Sequence, residues 1–271
     1  MAGLPPRFLQ APPTRCTAVA EICEIKATSL KPFVAQNEPC VLRGVLADWE
    51  PVRRWDDQHI RATCRHRTVP IRHSEASSER NFGRLDRSGV YTREGGVTVP
   101  ELLDALANAH SKGQPAAMYA AQVRLRTHLP ELLAEARPEP GCLEALGTRW
   151  RNSPSLYMGC GARTHVHFDL LENVMCVVRG RKSVTLWHPA DSMLLYPGGG
   201  GSELFSRVAD PLEASSNFPL LCRAAPFALH VELSAGDALY IPCCWWHDVR
   251  TPRGERSLSI SYWCQQPLDK L

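Results

Sequence analysis

At 271 residues, with 44% hydrophobic and 22% charged residues, the chain is long enough to bury a full core and sits near the upper end of a single domain. This composition excludes a disordered or collagen-like protein. A net charge of +3 is too small to make the whole molecule a polyanion binder, so such a role would need a local concentration of charge.

Residues 1–18 are rich in Pro, Thr and Arg, lack periodicity and read as a flexible arm. They hold no apolar run of signal-peptide length, but Arg7 and Arg15 precede the first acid, Glu21, which leaves a mitochondrial address open. Residues 19–154 read as α/β decoration. A strand is expected over Cys40–Arg43, a helix over Asp56–Cys64 and a strand over Thr68–Arg72. Thr98 and Pro100 start a helix that ends near His110, and a short helix covers Pro130–Ala136. Between Arg53 and His73, six arginines and three histidines face two aspartates. Phosphates of a tRNA could be held there, although a solvated face is the plainer reading and carries more weight.

From residue 155 to 271, apolar β-rich runs alternate with Gly, Pro and Asp. Asn173–Val178 with Lys182–Trp187, Ala228–Leu233 with Ala238–Ile241, and His247–Arg250 with Ser257–Trp263 each flank a short turn and read as hairpins. Together they predict a mainly β fold with decorating helices, a double-stranded β-helix (jelly-roll) barrel. A loop-rich insertion at 197–227 contains Gly198–Gly201 and suits a lid. Leu156, Tyr157 and Met158 are candidates for lining a pocket, as are Trp245 and Trp246 for shaping a substrate channel; ordinary packing competes in both cases. The longest apolar stretch, Ala238–Trp246, is too short for a bilayer, so no membrane partner is expected. None of the eleven cysteines forms a CxxC pair, which points to reduced thiols in the cytoplasm or nucleus.

The chemistry concentrates in Thr164-His165-Val166-His167-Phe168-Asp169. In an extended segment, alternation puts His165, His167 and Asp169 on one face. An HxD pair joined by a distant histidine makes the facial triad of a non-haem iron site, and His247, after Trp245-Trp246, is the best distal candidate. Taken alone, HxD is more often a pair of ordinary strand residues, and His247 a core histidine. Lys182 raises the odds: it shares the parity of Val184 and Leu186, so it would point inward, where a buried ammonium needs an anion.

THVHFDLLENVMCVVRGRKSVTLWHP and LSAGDALYIPCCWWHDV, with PCVLRGVLADW and MYAAQ in support, resemble the JmjC-domain hydroxylases. These are cupin-like Fe(II)- and 2-oxoglutarate-dependent oxygenases, among them arginyl and lysyl hydroxylases and a tRNA wybutosine hydroxylase. The resemblance implies that His167, Asp169 and His247 bind Fe(II), that Asn173, Lys182, Thr164 and Tyr119 contact 2-oxoglutarate, and that Ser261 stands where several relatives carry Asn. It moves His165 to a supporting or substrate-side position. It also implies that O2 and 2-oxoglutarate are consumed to hydroxylate a protein or peptide side chain, with tRNA-base hydroxylation and N-methyl demethylation as alternatives. Relatives that dimerise continue into further helices, so a monomer is expected. A silent JmjC-like binding module would lack part of the triad or the lysine, and an ordinary metal cupin acting as an isomerase would not need the lysine.

Overall fold

The computed structural model describes residues 20–22, 30–73, 80–81, 93–146, 153–198, 203–208, 210–211 and 216–265. The arm at 1–18 and Gly199–Gly201 of the insertion lie outside them. In chain order the elements are β1 (Ala20–Ile22), α1 (Lys31–Gln36), β2 (Cys40–Leu42), α2 (Glu50–Arg54), α3 (Asp57–Thr63), β3 (Thr68–His73), β4 (Arg80–Asn81), β5 (Arg93–Thr98), α4 (Val99–Ser111), β6 (Met118–Arg124), α5 (Leu125–His128) and α6 (Pro130–Glu135). There follow β7 (Ser155–Cys160), β8 (Ala162–His167), β9 (Glu172–Arg179), β10 (Arg181–Trp187), α7 (Leu221–Ala224), β11 (Leu229–Ser234), β12 (Ala238–Ile241), β13 (Trp246–Arg250) and β14 (Arg256–Cys264).

The strands form a nine-stranded sheet, β1-β2-β12-β9-β14-β7-β6-β3-β5, and a five-stranded sheet, β11-β10-β13-β8-β4. From β7 onward the strands alternate between the sheets, except that β10 and β11 pair within the smaller one. This is the jelly-roll expected from the strand pattern. The three expected hairpins, however, are not hairpins. β9 pairs with β12 and β14, whereas β10 pairs with β11 and β13, so the turn at Gly180 carries the chain from one sheet to the other. β11 and β12, and likewise β13 and β14, are also in opposite sheets. A short glycine turn between two apolar runs looks the same in sequence whether the second run lies beside the first or above it, and here the need to bury both inner faces selects the second arrangement.

β9 shows why its sequence does not alternate. Val174, Cys176 and Val178 face the helices with Trp55, Ile60 and Leu102, while Met175 and Val177 face the barrel interior with Val184, Leu186 and Leu239. Both faces are buried, so the run is apolar throughout. α4 supplies Val99, Leu102, Leu103, Leu106 and Ala109 to the first of these cores, and a capping box between Thr98 and Glu101 starts it. Among the described residues no helix is long and apolar enough to cross a membrane.

At the turns the backbone leaves little freedom. Gly180 has φ +69°, and a Cβ there would lie 1.9 Å from the Arg256 carbonyl oxygen. Gly44, with φ +65°, has nothing within 4 Å of an added Cβ. Gly44→Ala should therefore lose only the left-handed backbone penalty, about 1–2 kcal/mol, and Gly180→Ala clearly more. Urea denaturation of the two variants checks this, and equal losses would remove the steric argument.

Candidate metal centre

The pairing of β8 with β13 sets the site. His247 lies opposite His167, but Val249 lies opposite Thr164, so β8 spans three residues where β13 spans two. The extra residue is a β-bulge, and it breaks simple alternation. Thr164 and His167, three apart, both line the central cavity. His165 does not share their face. It is fully buried elsewhere, its Nε2 2.7 Å from the Ser206 carbonyl oxygen, and burial lowers its pKa. The expectation that His165, His167 and Asp169 share one face therefore fails at His165.

His167, Asp169 and His247 each offer a donor atom, and these atoms lie within 4.8 Å of one another. The two imidazole rings are 4.2 Å apart, and His247 Nε2 is 3.8 Å from Asp169 Oδ2. Each ring is oriented in the same way. His167 Nδ1 lies 2.8 Å from the His165 carbonyl and His247 Nδ1 2.9 Å from the Trp245 carbonyl, so each Nδ1–H is donated to a backbone oxygen two residues back and each Nε2 is left for the site. The Asp169 carbonyl accepts from the Cys244 N–H at 2.8 Å. The loop that delivers His247 is held from the other side by buried Glu172, which accepts from Cys243 N–H at 3.1 Å and Tyr240 Oη–H at 2.6 Å. Burial and the neighbouring His167 ring push the His247 pKa down to about 4, so the ring is a neutral donor at physiological pH.

The cavity lining also includes Tyr119, Asn173, Lys182 and Ser261, so the eight residues that the resemblance links to metal and cosubstrate line one cavity, whereas His165 does not. Lys182 sits toward the closed end. Its strand neighbour Leu186 is the register partner of His247, four residues or about 13 Å along the strand. Lys182 is 2% exposed and makes no hydrogen bond or ion pair among the described residues, and burial lowers its pKa to about 8. Tyr119 hydrogen-bonds Thr164 beside it, and burial pushes its phenol up to about 12. Asn173 Oδ1 and Ser259 Oγ are buried in the same wall with no hydrogen-bond partner among the described residues. A buried cation and two unsatisfied polar atoms opposite a two-His, one-carboxylate donor set fit a chelating dicarboxylate and a divalent metal.

Residues missed in the sequence are Ser259 and Trp263, which share the parity of Ser261 on β14, together with Met175, Ile241 and Val249. Strand parity around Ser261 would have found the first two. Of Leu156, Tyr157 and Met158, only Tyr157 lines the cavity; the others face the helices. Trp245 packs between the sheets and Trp246 under the insertion, and neither is among the cavity-lining residues. In the Arg53–His73 stretch, Arg54 pairs with Glu50, Arg61 with Asp104 and Arg67 with Glu131, so at least three of its six arginines stand beside a carboxylate at the surface.

A family profile described as "Cupin-like domain" matches residues 26–270. Jumonji C domain-containing protein 5 of Drosophila melanogaster is 27% identical over 93% of this chain and 62% of its own length. The human bifunctional peptidase and (3S)-lysyl hydroxylase JMJD7 is 25% identical over 88% of this chain and 80% of its own. The mouse tRNA wybutosine-synthesizing protein 5 is 34% identical, but over only 33% of this chain and 27% of its own length. The chain spans 62% of the Drosophila relative and 46% of another, lysine-specific demethylase JMJ31 of Arabidopsis thaliana.

The low pKa of His247 has a consequence for stability. Unfolding returns the ring to a pKa near 6.5, so between about 6.5 and 4 the unfolded chain binds the extra proton. In EDTA, stability should be complete above that window and fall with acid through it, and His247→Asn should flatten the profile. Urea midpoints measured from pH 7 to 4 test this; an unchanged slope in the variant would assign the acid sensitivity elsewhere.

Proposed function

The chain belongs to the cupin-like domain family, and on that premise we propose that it is an Fe(II)- and 2-oxoglutarate-dependent oxygenase that hydroxylates a protein side chain. One observation carries this reading: a buried lysine with no counter-ion among the described residues stands in the same cavity as a His-Asp-His donor set. A silent binding module has no use for that combination, and an isomerase cupin has none for the lysine.

His167, Asp169 and His247 would hold the metal, each imidazole through Nε2 and the aspartate through a carboxylate oxygen. Lys182 would pair with the distal carboxylate of 2-oxoglutarate, and the hydroxyls of Tyr119 and Thr164, which line the same cavity, would donate to it. Asn173, Ser259 and Ser261 line the wall between the two ends and orient the cosubstrate. When bound, iron, cosubstrate and O2 supply the oxidising power: one oxygen atom enters the cosubstrate as it becomes succinate and CO2, and the other enters a substrate C–H bond. The apolar side chains of Met175, Ile241 and Val249 keep the cavity dry, which strengthens each of these polar contacts.

A protein substrate is favoured over tRNA by the carboxylates beside Arg54, Arg61 and Arg67, which lower the positive potential that a phosphate backbone would meet there. The lysyl hydroxylase named above is also matched over far more of its length than the wybutosine-synthesizing protein.

Purified protein supplied with Fe(II), ascorbate and 2-oxoglutarate should release succinate, and His167→Ala should reduce that release to background; equal turnover in the two would sink the assignment. Binding is the more direct readout. Lys182→Met should abolish 2-oxoglutarate binding in calorimetry. In wild type the dissociation constant should rise up to tenfold per pH unit above about 8, because the dianion selects the protonated lysine, and binding then has to draw a proton from solution. Affinity flat from pH 7 to 9.5 would rule out Lys182 as the anchor.

A further inference from the structure

We propose that Asp210 is a positioning residue for the metal ligand His167, acting through an ion-pair quartet that fixes part of the insertion against β8; the inference rests on the metal reading above. Tyr196–Gly198 and Phe205–Arg207 face each other as two arms, with Gly198 N–H on the Phe205 carbonyl at 2.7 Å and Arg207 N–H on the Tyr196 carbonyl at 2.8 Å. The second arm joins β8 as an added strand. Ser206 N–H donates to Val166 at 2.9 Å and Phe168 N–H to Leu204 at 3.0 Å, on either side of His167. Phe205 lies opposite His167, and its ring stacks on the imidazole at 5.5 Å and 15°. One face of the ligand ring is thus set by a residue that arrives from the insertion.

The arm is tied down on the outer side of the ligand strands. The bulge turns Arg163 and His165 of β8 outward, and Asp248 and Arg250 of β13 lie beside them. Asp248 accepts from Arg163 Nε at 2.8 Å and from Arg250 Nε at 2.7 Å, and Arg163 Nη2 lies 2.6 Å from the same carboxylate as an ion pair. Asp210, four residues after Ser206, closes the ring: it accepts from Arg163 Nη1 at 3.1 Å and from Arg250 Nη2 at 2.8 and 2.9 Å. His165 adds its bond to the Ser206 carbonyl. The side chains of Arg163 and Asp248 are 6% and 1% exposed, so the charges are held out of water and depend on one another. Removing the Asp210 carboxylate cuts the charged tether between the insertion and both guanidinium groups and loosens the hold of the arm, and with it the seat of Phe205 on the His167 ring.

The probe is cobalt(II), whose visible band reports the ligand geometry without turnover. Asp210→Asn should weaken cobalt binding about ten- to a hundredfold, the range seen when supporting partners of metal ligands are removed, and should shift the band, with the far-ultraviolet circular dichroism unchanged. Asp210→Glu should recover part of the affinity, and Arg61→Gln, which breaks a surface ion pair, should change nothing. An Asp210→Asn variant with wild-type affinity and band would overturn the proposal. Should that variant not fold, Phe205→Ala carries the test: it spares the quartet, and wild-type cobalt affinity in it would overturn the proposal equally. A wild-type protein that gives no cobalt band would remove the metal reading itself, and the positioning role with it, an outcome distinct from the others.

Discussion

The site depends on one extra residue in β8. Without the bulge, Thr164 and His167 would project to opposite faces, and a ring and a hydroxyl that share the cavity would be separated by the sheet. With it, the strand presents Thr164 deep and His167 near the mouth, while Arg163 and His165 turn outward to bind the insertion. The irregularity is also compact, since Asp248 on β13 stands opposite the surplus residue and its carboxylate meets Arg163. A local defect in one ladder thus serves both walls of the strand, the inner one for chemistry and the outer one for support.

The two ends of the barrel have different tasks. At one end four turns of one to five residues carry the chain between sheets, and Lys182 is the second residue of the strand that follows the Gly180 turn. The connections at the other end hold Asp169, the approach to His247 and the insertion. The cavity therefore runs from an electrostatically positive floor to a donor cluster near the open rim. Burial acts oppositely on the ionisable groups along it, lowering Lys182 and His247 and raising Tyr119 and Tyr157, and in each case it disfavours the charged form.

Much of this was legible in the residues themselves. The parity of Lys182 with Val184 and Leu186 is a period-two property and survived folding, as did the Thr98 cap. The pairing of the strands was not legible, because Gly180 closes a turn of the same length in either topology. The orientation of His165 was hidden for a related reason: alternation is a rule for regular strands, and nothing in Thr164-His165-Val166-His167 marks where the extra residue enters. The insertion has the composition of a loop suited to a lid, yet Phe205 bridges to His167 and Ser206 N–H bonds to Val166. Their pairing partner lies some forty residues earlier in the chain, and no local pattern announces it. Ser259 shows the opposite case, a cavity residue that the parity of Ser261 already implied.

The arm that adds to β8 has a second effect, on the fate of the sheet in solution. An unpaired strand rim is a template on which another chain can assemble. Along β8 that rim is taken by β4 at one end and by the Leu204–Ser206 backbone at the other. The opposite rim, β11, turns His230, Glu232 and Ser234 outward, and the Arg43 guanidinium donates to the Glu232 carbonyl at 2.7 Å. Both margins of the ligand-bearing sheet are thus partly blocked by the protein's own groups, a safeguard against edge-to-edge aggregation.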